Sequence, residues 1–323
     1  MRILITGGAG FIGSNFVRYL IKKHPEYEIV VLDALVYAGR KENLKDVWNE
    51  ITFIKGDITK KKDVERAING CDFVINFAAL THVDRSIIEA GSFILTNTFG
   101  TYNILEACRK FNVKRMVQIS TDEVYGHILE GNFKEEDKLN PRNPYAVSKA
   151  SADLLCRAYF ETYGLPVIIT RSTNNYGPYQ HPEKFIAKTI IYALLNKKIP
   201  VYGKGENVRD WIFVEDNCEA INLVLERGKE GEIYNIAGKQ EMKNIEVVKT
   251  ILKLMGKSGD LIEFVKDRPG HDLRYSLDIS KIQKLGWRPK TSFQEGIKKT
   301  IEWYKSNEWW WRPIIEKEKI DFI

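Results

Sequence analysis

Two short clusters in the middle of the chain carry residue types suited to proton transfer. Tyr145 and Lys149 stand four positions apart in Tyr145-Ala146-Val147-Ser148-Lys149, which puts them on one face of a helix. A free phenol has a pKa near about 10 and is a poor base at neutral pH; an adjacent ammonium stabilises the phenolate and lowers that value. Taken alone, this spacing occurs often by chance. Upstream, Ser120-Thr121-Asp122-Glu123-Val124-Tyr125-Gly126 sets a hydroxyl beside two carboxyls. Adjacent carboxylates in a loop are commonly just solvated. At a strand end they can divide acid and base roles, provided their surroundings push the two pKa values apart.

A third cluster opens the chain. Gly7-Gly8-Ala9-Gly10-Phe11-Ile12-Gly13 follows an apolar run directly and leads into a helical pattern. Glycines spaced in this way let a turn tighten and let the backbone approach a pyrophosphate, with the free N–H groups of the helix start facing the negative charge. Asp33 lies twenty residues beyond Gly13. A carboxylate there accepts hydrogen bonds from both hydroxyls of an adenosine ribose and repels a 2′-phosphate, which favours NAD over NADP. Gly56-Asp57-Ile58 reads either as a contact to the adenine amino group or as a turn with a capping Asp. Phe77-Ala78-Ala79 supplies small residues where a cofactor crosses strand ends. Lys149 is then also placed to hold the nicotinamide ribose.

These clusters need a scaffold, and the first half of the chain supplies it. Strands are predicted at Arg2–Thr6, Glu28–Leu32, Thr52–Lys55, Phe73–Phe77, Arg115–Ser120 and Val167–Arg171. Most are near-continuous apolar runs, the signature of strands buried on both faces. Helical faces recur between them, as in Phe11, Ile12, Phe16, Val17, Leu20 and Ile21. This alternation predicts an α/β fold with a doubly wound parallel Rossmann sheet. After Arg171 the rhythm is lost; helices are expected at Glu183–Asn196, Glu215–Lys229 and Phe293 to about Asn307. Five of the seven tryptophans fall from Trp287 onward, three of them at Trp309–Trp311, and read as packing of a smaller C-terminal α/β domain or as a subunit contact. The expected division is 1–172 plus about 208–240 for a cofactor domain, and about 173–207 plus 241–323 for a substrate domain, with the chain crossing between lobes more than once.

Composition excludes several classes. Of 323 residues, 44% are hydrophobic and 28% charged, which fits a globular protein and not a disordered chain. No apolar run approaches the ~20 residues of a membrane span. No signal-peptide pattern opens the chain, so a cytoplasmic protein is expected. The formal charge of +6 is interspersed, and its longest basic run is Lys60-Lys61-Lys62, too little for a nucleic-acid face. Cys71, Cys108, Cys156 and Cys218 are far apart and read as small buried hydrophobes. His82 and His271 have no partners at ligand spacing, so no metal is expected.

The sequence as a whole resembles the extended short-chain dehydrogenase/reductases, the NAD-dependent epimerase/dehydratase family, and within it the dTDP-glucose 4,6-dehydratases. The resemblance covers nearly the whole chain. It rests on Gly7–Gly13, Ala78-Ala79, His82-Val83-Asp84-Arg85-Ser86, Ser120–Gly126, Tyr145–Lys149 and Asn174-Asn175-Tyr176-Gly177-Pro178. It continues through Asn207-Val208-Arg209-Asp210-Trp211, Asp267-Arg268-Pro269-Gly270-His271-Asp272 and Leu285-Gly286-Trp287. The Thr-Asp-Glu triplet is the specific part; related epimerases share the glycines and the Tyr/Lys pair but lack the two acids.

The resemblance implies a tightly bound NAD regenerated each cycle, dTDP-glucose as substrate, a homodimer, and a place in deoxysugar synthesis toward dTDP-rhamnose. It implies that Thr121 hydrogen-bonds the sugar O4 and Tyr145 takes its proton while the C4 hydride passes to NAD. The 4-ketone then acidifies C5–H; Glu123 removes that proton, and a protonated Asp122 delivers its own to the departing C6 hydroxyl. Hydride returns to C6 and Glu123 reprotonates C5. By the same resemblance Gly7, Gly10, Phe11, Ile12, Gly13, Asp33, Ala34, Leu35, Val36, Asp57, Ile58, Phe77, Ala78, Ala79, Leu80, Thr81, Thr96, Tyr145, Lys149 and Asn175 match cofactor positions. Thr81, Thr121, Asn174, Lys184, Phe185, Pro200, Val201, Tyr202, Arg209, Asn244, Asp267, Arg268, Pro269, Gly270 and His271 match substrate positions. A guanidinium at Arg209 suits a diphosphate; read alone, it serves equally as a surface ion-pair partner. Leu80-Thr81 stands where the family often has Glu-Ser, and the segment between Gly126 and Pro141 is short. The rival readings are a UDP-glucose 4,6-dehydratase, a nucleotide-sugar 4-epimerase, which needs no acid pair, and a non-catalytic NAD-binding sensor. The sequence leaves thymine and uracil undistinguished.

Overall fold

The computed structural model describes residues 1–267 and 272–318. Seven strands form the main sheet: β1 (Arg2–Thr6), β2 (Glu28–Asp33), β3 (Ile51–Lys55), β4 (Phe73–Asn76), β5 (Arg115–Thr121), β6 (Val167–Ser172) and, later in the chain, β10 (Ile233–Ile236). Their order is β10-β6-β5-β4-β1-β2-β3, and every neighbouring pair is parallel. Ile3 and Ile5 enter one core with Ile29, Val31, Ile75 and Val117, while Leu4 enters the opposite core with Val30, Leu32, Val74 and Met116. Period-two alternation thus divides each apolar run between two helix-covered faces, which is why the runs are uninterrupted.

The six strands expected from sequence are all present, with ends shifted by one residue or less. The seventh, β10, was not expected. The helix expected from Glu183 begins at Phe185 and ends at Leu194. Beyond the main sheet lie β7 (Asn174–Tyr176), β8 (Ile199–Tyr202), β9 (Val208–Phe213), β11 (Glu241–Lys243) and β12 (Ile262–Val265). They form a three-stranded sheet, β11-β9-β7, and a two-stranded parallel sheet, β12-β8. The helices Phe185–Leu194, Asn244–Met255 and Phe293–Ser306 pack with this second group around Tyr176, Trp211 and Phe213.

The C-terminal tryptophans are mainly packing residues. Trp287, Trp310 and Trp311 are buried; Trp309 is exposed, with the Lys45 ammonium 4.9 Å from its ring centroid. Trp310 Nε1 donates to Asn43 Oδ1 at 2.7 Å, and Asn43 Nδ2 donates to the Ala9 carbonyl at 2.7 Å. The last helix, Glu308–Glu318, therefore reaches the glycine turn at the start of the chain through one side chain. All four cysteines are buried and free.

Candidate active site

The C-terminal ends of the central strands open into one cleft. At its first wall, Gly7 has φ +68° and an added Cβ would lie 2.5 Å from the Ala78 nitrogen. A Cβ on Gly13 would lie 2.3 Å from the Gly7 carbonyl. Only glycine permits both the turn and this approach of strand ends, and the Phe11–Lys23 helix then points its N-terminus into the cleft. Asp33 Oδ2 accepts from the Ala9 N–H at 2.9 Å and Oδ1 from the Leu35 N–H at 2.8 Å. The carboxylate is thereby fixed at the end of β2 with lone pairs left for sugar hydroxyls. Burial raises its pKa, and the two N–H donors oppose that rise. This cradle fits a dinucleotide: free backbone donors for the diphosphate and an oriented acceptor for a ribose.

At the opposite wall, β5 ends at Thr121 and the chain turns through Asp122–Tyr125. Thr121 Oγ1 donates to Asp122 Oδ1 at 3.1 Å and accepts from the Glu123 N–H at 3.3 Å. Asp122 is buried and its Oδ2 has no hydrogen-bond partner; Glu123 is half-buried. Desolvation first, then the charge of Glu123, pushes the Asp122 carboxyl up to about 8. Two neighbouring carboxyls are thus held in different environments, one suited to carry a proton at neutral pH.

The third wall is the Pro144–Tyr163 helix. Asn143 caps it, its Oδ1 accepting from the Ala146 N–H at 2.8 Å, and Pro144 occupies the first helical position. Tyr145 and Lys149 share the buried face of this helix, and Tyr145 is hydrogen-bonded to Thr121. Lys149 Nζ donates to the Ile119 carbonyl at 2.6 Å. The expected fall in the Tyr145 pKa is not found in the chain by itself. Burial, then the negative charge of Glu123, holds the phenol up, against the hydrogen bond with Thr121. Burial also lowers the pKa of Lys149, and Asp153 opposes that shift.

The structure brings together Gly7, Gly10, Phe11, Ile12, Gly13, Asp33, Ala34, Val36, Asp57, Ile58, Phe77, Ala78, Ala79, Leu80, Thr81 and Thr96 along this cleft. It adds Thr121, Asp122, Glu123, Tyr145, Lys149, Asn174, Asn175 and Lys184 around the same space. Asp57 Oδ1 accepts from the Thr59 N–H at 2.9 Å, so the turn reading holds while the residue still lines the cleft. Lys184 Nζ donates to the Thr81 carbonyl at 3.1 Å, and burial lowers its pKa. Leu35 contributes its N–H to Asp33 and packs its side chain on the core instead of lining the cleft.

Phe185, Pro200, Val201, Tyr202, Arg209, Asn244 and Asp267 are not among the lining residues. Val201 is 1% exposed within an apolar cluster, so its side chain faces no ligand there. Arg209 is buried, with its guanidinium 4.5 Å from the Tyr275 ring centroid and Nη2 donating to the Asp272 carbonyl at 3.0 Å. Its charge still reaches Asp122 and lowers that pKa slightly against burial. Arg268, Pro269, Gly270 and His271 lie outside the described residues.

Sequence reasoning missed three contributors. Asn143 Nδ2 donates to Glu123 Oε2 at 3.1 Å; the Asn-Pro pair before Tyr145 was a readable helix start. Asn97, in the π-helical turn Ile94–Phe99, clamps Leu80 by both backbone groups, at 2.8 and 2.9 Å, and donates to Ser148 Oγ at 2.8 Å. Leu80 thus holds its place through its backbone, which is independent of its side chain. Tyr37 lines the cleft beside His181, their rings 5.3 Å apart.

Residues 4–300 match the family model described as GDP-mannose 4,6 dehydratase. The chain is 49% identical over 310 residues to the low-salt glycan biosynthesis protein Agl12 of Haloferax volcanii, covering 95% of this chain and 100% of that one. It is 47% identical over 321 residues to a dTDP-glucose 4,6-dehydratase of Streptomyces niveus, covering 97% and 96%. Among solved structures, DesIV, a dTDP-glucose 4,6-dehydratase from Streptomyces venezuelae with NAD bound, matches with a TM-score of 0.95 at 47% identity, covering 97% of this chain and 100% of that one.

Proposed function

From the premise that this chain belongs to the GDP-mannose 4,6 dehydratase family, we propose that it is an NAD-dependent hydro-lyase of deoxysugar biosynthesis, converting dTDP-glucose to dTDP-4-dehydro-6-deoxyglucose and water. The observation that carries this reading is the pairing of a buried, proton-holding Asp122 with a half-buried Glu123 beside Thr121 and Tyr145. An enzyme that only oxidises and re-reduces C4 has no use for such an acid pair.

NAD, when bound, supplies a cationic ring and an acceptor for the hydrogen of C4. We assign its diphosphate to the turn at Gly7–Gly13 and its adenosine ribose to Asp33. Tyr145 accepts the proton of the sugar O4, with Thr121 hydrogen-bonded to that oxygen. Glu123, aimed by Asn143, takes the C5 proton once C4 is a ketone, because the pair of electrons left behind is shared with the carbonyl. Asp122 gives its proton to the C6 hydroxyl as the C6–O bond breaks, so the oxygen departs as water. Glu123 then returns a proton to C5 while the hydrogen taken from C4, held by the bound cofactor, would be given back at C6, which leaves a 6-deoxy sugar and the cofactor oxidised as it began. The larger lobe with the parallel sheet holds the cofactor, and the group built on β7–β9, β11 and β12 faces the nucleotide sugar.

We place the reaction in the cytoplasm, on the route to dTDP-rhamnose; four free cysteines suit a reducing compartment. A homodimer is supported by adjoining exposed apolar stripes: Leu95, Phe99 and Tyr102 on one helical run, Val147 and Leu154 on the next.

The test is incubation of the purified protein with dTDP-glucose and, separately, UDP-glucose, followed by mass spectrometry without added NAD. Loss of the mass of one water, faster with dTDP-glucose, is the expected result. An unchanged mass with a C4 epimer seen by NMR would replace the dehydratase with an epimerase. Bound NAD with neither reaction would favour a sensor.

A further inference from the structure

Behind the Tyr145/Lys149 face lies a second buried charge cluster that the reaction above does not use. Asp153 is fully buried on the Pro144–Tyr163 helix, one turn beyond Lys149. Arg171, at the end of β6 and also fully buried, donates from Nε to Asp153 Oδ2 at 2.9 Å. Its guanidinium lies 4.6 Å from the Tyr125 ring centroid, and Tyr125 donates to Asn235 Oδ1 at 2.9 Å. The second carboxylate oxygen, Asp153 Oδ1, is buried without a hydrogen-bond partner. A buried ion pair of this kind contributes little net stability, so its presence calls for another reason.

Helix geometry supplies one. Residues four apart on one face have Cβ atoms about 5–6 Å apart, so Asp153 and Lys149 are neighbours. Lys149 is buried, and a buried amine tends to lose its proton. Of the charged groups around it, Asp153 is the carboxylate on its own helix; Cys156 on that helix is a thiol pushed well above its usual range by burial. Asp122 and Glu123, on the turn after β5, act on Tyr145. Arg171, from β6, fixes Asp153 by one oxygen. We propose that Asp153, clamped by Arg171, is a positioning residue that keeps Lys149 an ammonium at the foot of the cleft. Its charge also bears directly on Tyr145, raising that phenol's pKa; the role proposed is the one through Lys149, and so rests on the role given to Lys149 above.

The experiment is an NMR titration of the holoenzyme carrying ¹³C-labelled lysine, the Lys149 resonance being identified by its loss in Lys149→Met, alongside the pH profile of C4 oxidation of dTDP-glucose, read in single turnover as reduced nicotinamide. Asp153→Asn keeps shape and removes charge. The expected result is a Lys149 midpoint lower by about one pH unit or more, with the alkaline limb of C4 oxidation, which precedes the step that uses Asp122, moving down by the same amount. Arg171→Lys, which keeps the clamp's charge, should leave the midpoint near that of the parent. Should Asp153→Asn fail to fold because Arg171 is left unpaired, Asp153→Asn with Arg171→Met removes both charges and should show a shift in the same direction but smaller, since the uncompensated Arg171 cation is gone. An unmoved midpoint in a folded variant overturns the charge link. A moved midpoint with an unmoved profile of C4 oxidation overturns the positioning role in a different way, by removing Lys149 from the reaction.

Discussion

Asn143 serves Glu123 and the Pro144–Tyr163 helix with the two ends of one amide: Oδ1 caps the helix at 2.8 Å from the Ala146 nitrogen, and Nδ2 holds Glu123 Oε2 at 3.1 Å. The orientation of the base is thereby tied to the start of the helix that carries Tyr145. Substitutions separate the two duties. Asn143→Ala should lower stability by about 1 kcal/mol, measured by denaturant unfolding, through the lost cap. Asn143→Ser should keep the cap and still slow exchange of the C5 hydrogen with solvent. Equal exchange rates in Asn143→Ser and the parent would dissociate Asn143 from the chemistry.

The acid has a pH signature. Asp122, raised to about 8 by burial and by Glu123, carries its proton at neutral pH and loses it as the pH rises through that value. Turnover should therefore fall on the alkaline side of about 8. In the folded state the proton is held more tightly than in the unfolded chain, so this group's contribution to stability is greatest at low pH. It declines as pH climbs from the ordinary carboxyl range to about 8. Asp122→Asn removes the titration. It should unfold at a higher temperature than the parent at pH 8 and should slow water loss on the order of 10²-fold or more. A melting difference that is the same at acid and alkaline pH would count against the raised carboxyl.

Glu123→Gln should separate the two halves of the reaction. Oxidation at C4 does not need this carboxylate, but removal of the C5 proton does. Reduced nicotinamide should then accumulate, seen by its absorbance, while mass spectrometry finds no dehydrated sugar. Full turnover in this variant would sink the assignment of Glu123 as the base.

The apolar stripe predicts its own disruption. Phe99→Glu puts a charge at the centre of Leu95, Phe99 and Tyr102. Light scattering should then give the monomer mass where the parent gives the dimer. A parent protein that is already monomeric at micromolar concentration would end the homodimer reading.

Much of this architecture was legible because two periodicities do not mix. Ile3, Leu4 and Ile5 form an unbroken apolar run, which only a strand covered on both faces requires. Strand β10 was hidden for the converse reason. It is four residues, Ile233–Ile236, and Asn235 interrupts its apolar pattern. That asparagine is buried because it accepts from Tyr125 and donates to the Phe133 carbonyl, partners far away in sequence. The glycine turn, Asp33 and the Thr-Asp-Glu and Tyr/Lys clusters could be read from spacing because local geometry sets them. Asn97 could not. It sits in a π-helical turn, where the extra residue breaks the helical spacing that would have marked its inward side. The raised Tyr145 pKa was equally out of reach, since it depends first on how deeply the fold buries the phenol and then on which carboxylates it turns toward it.

Asn43 divides its side chain between Ala9 and Trp310, residues far apart in sequence, the tryptophan standing 267 positions beyond Asn43. On the ribosome the glycine turn emerges long before the indole that completes its support. Domains tend to fold as they emerge, but this turn has to wait in an unfinished state until Trp310 has been made. A nascent chain stalled before Trp310 would contain every residue of the dinucleotide cradle without the buttress that steadies it.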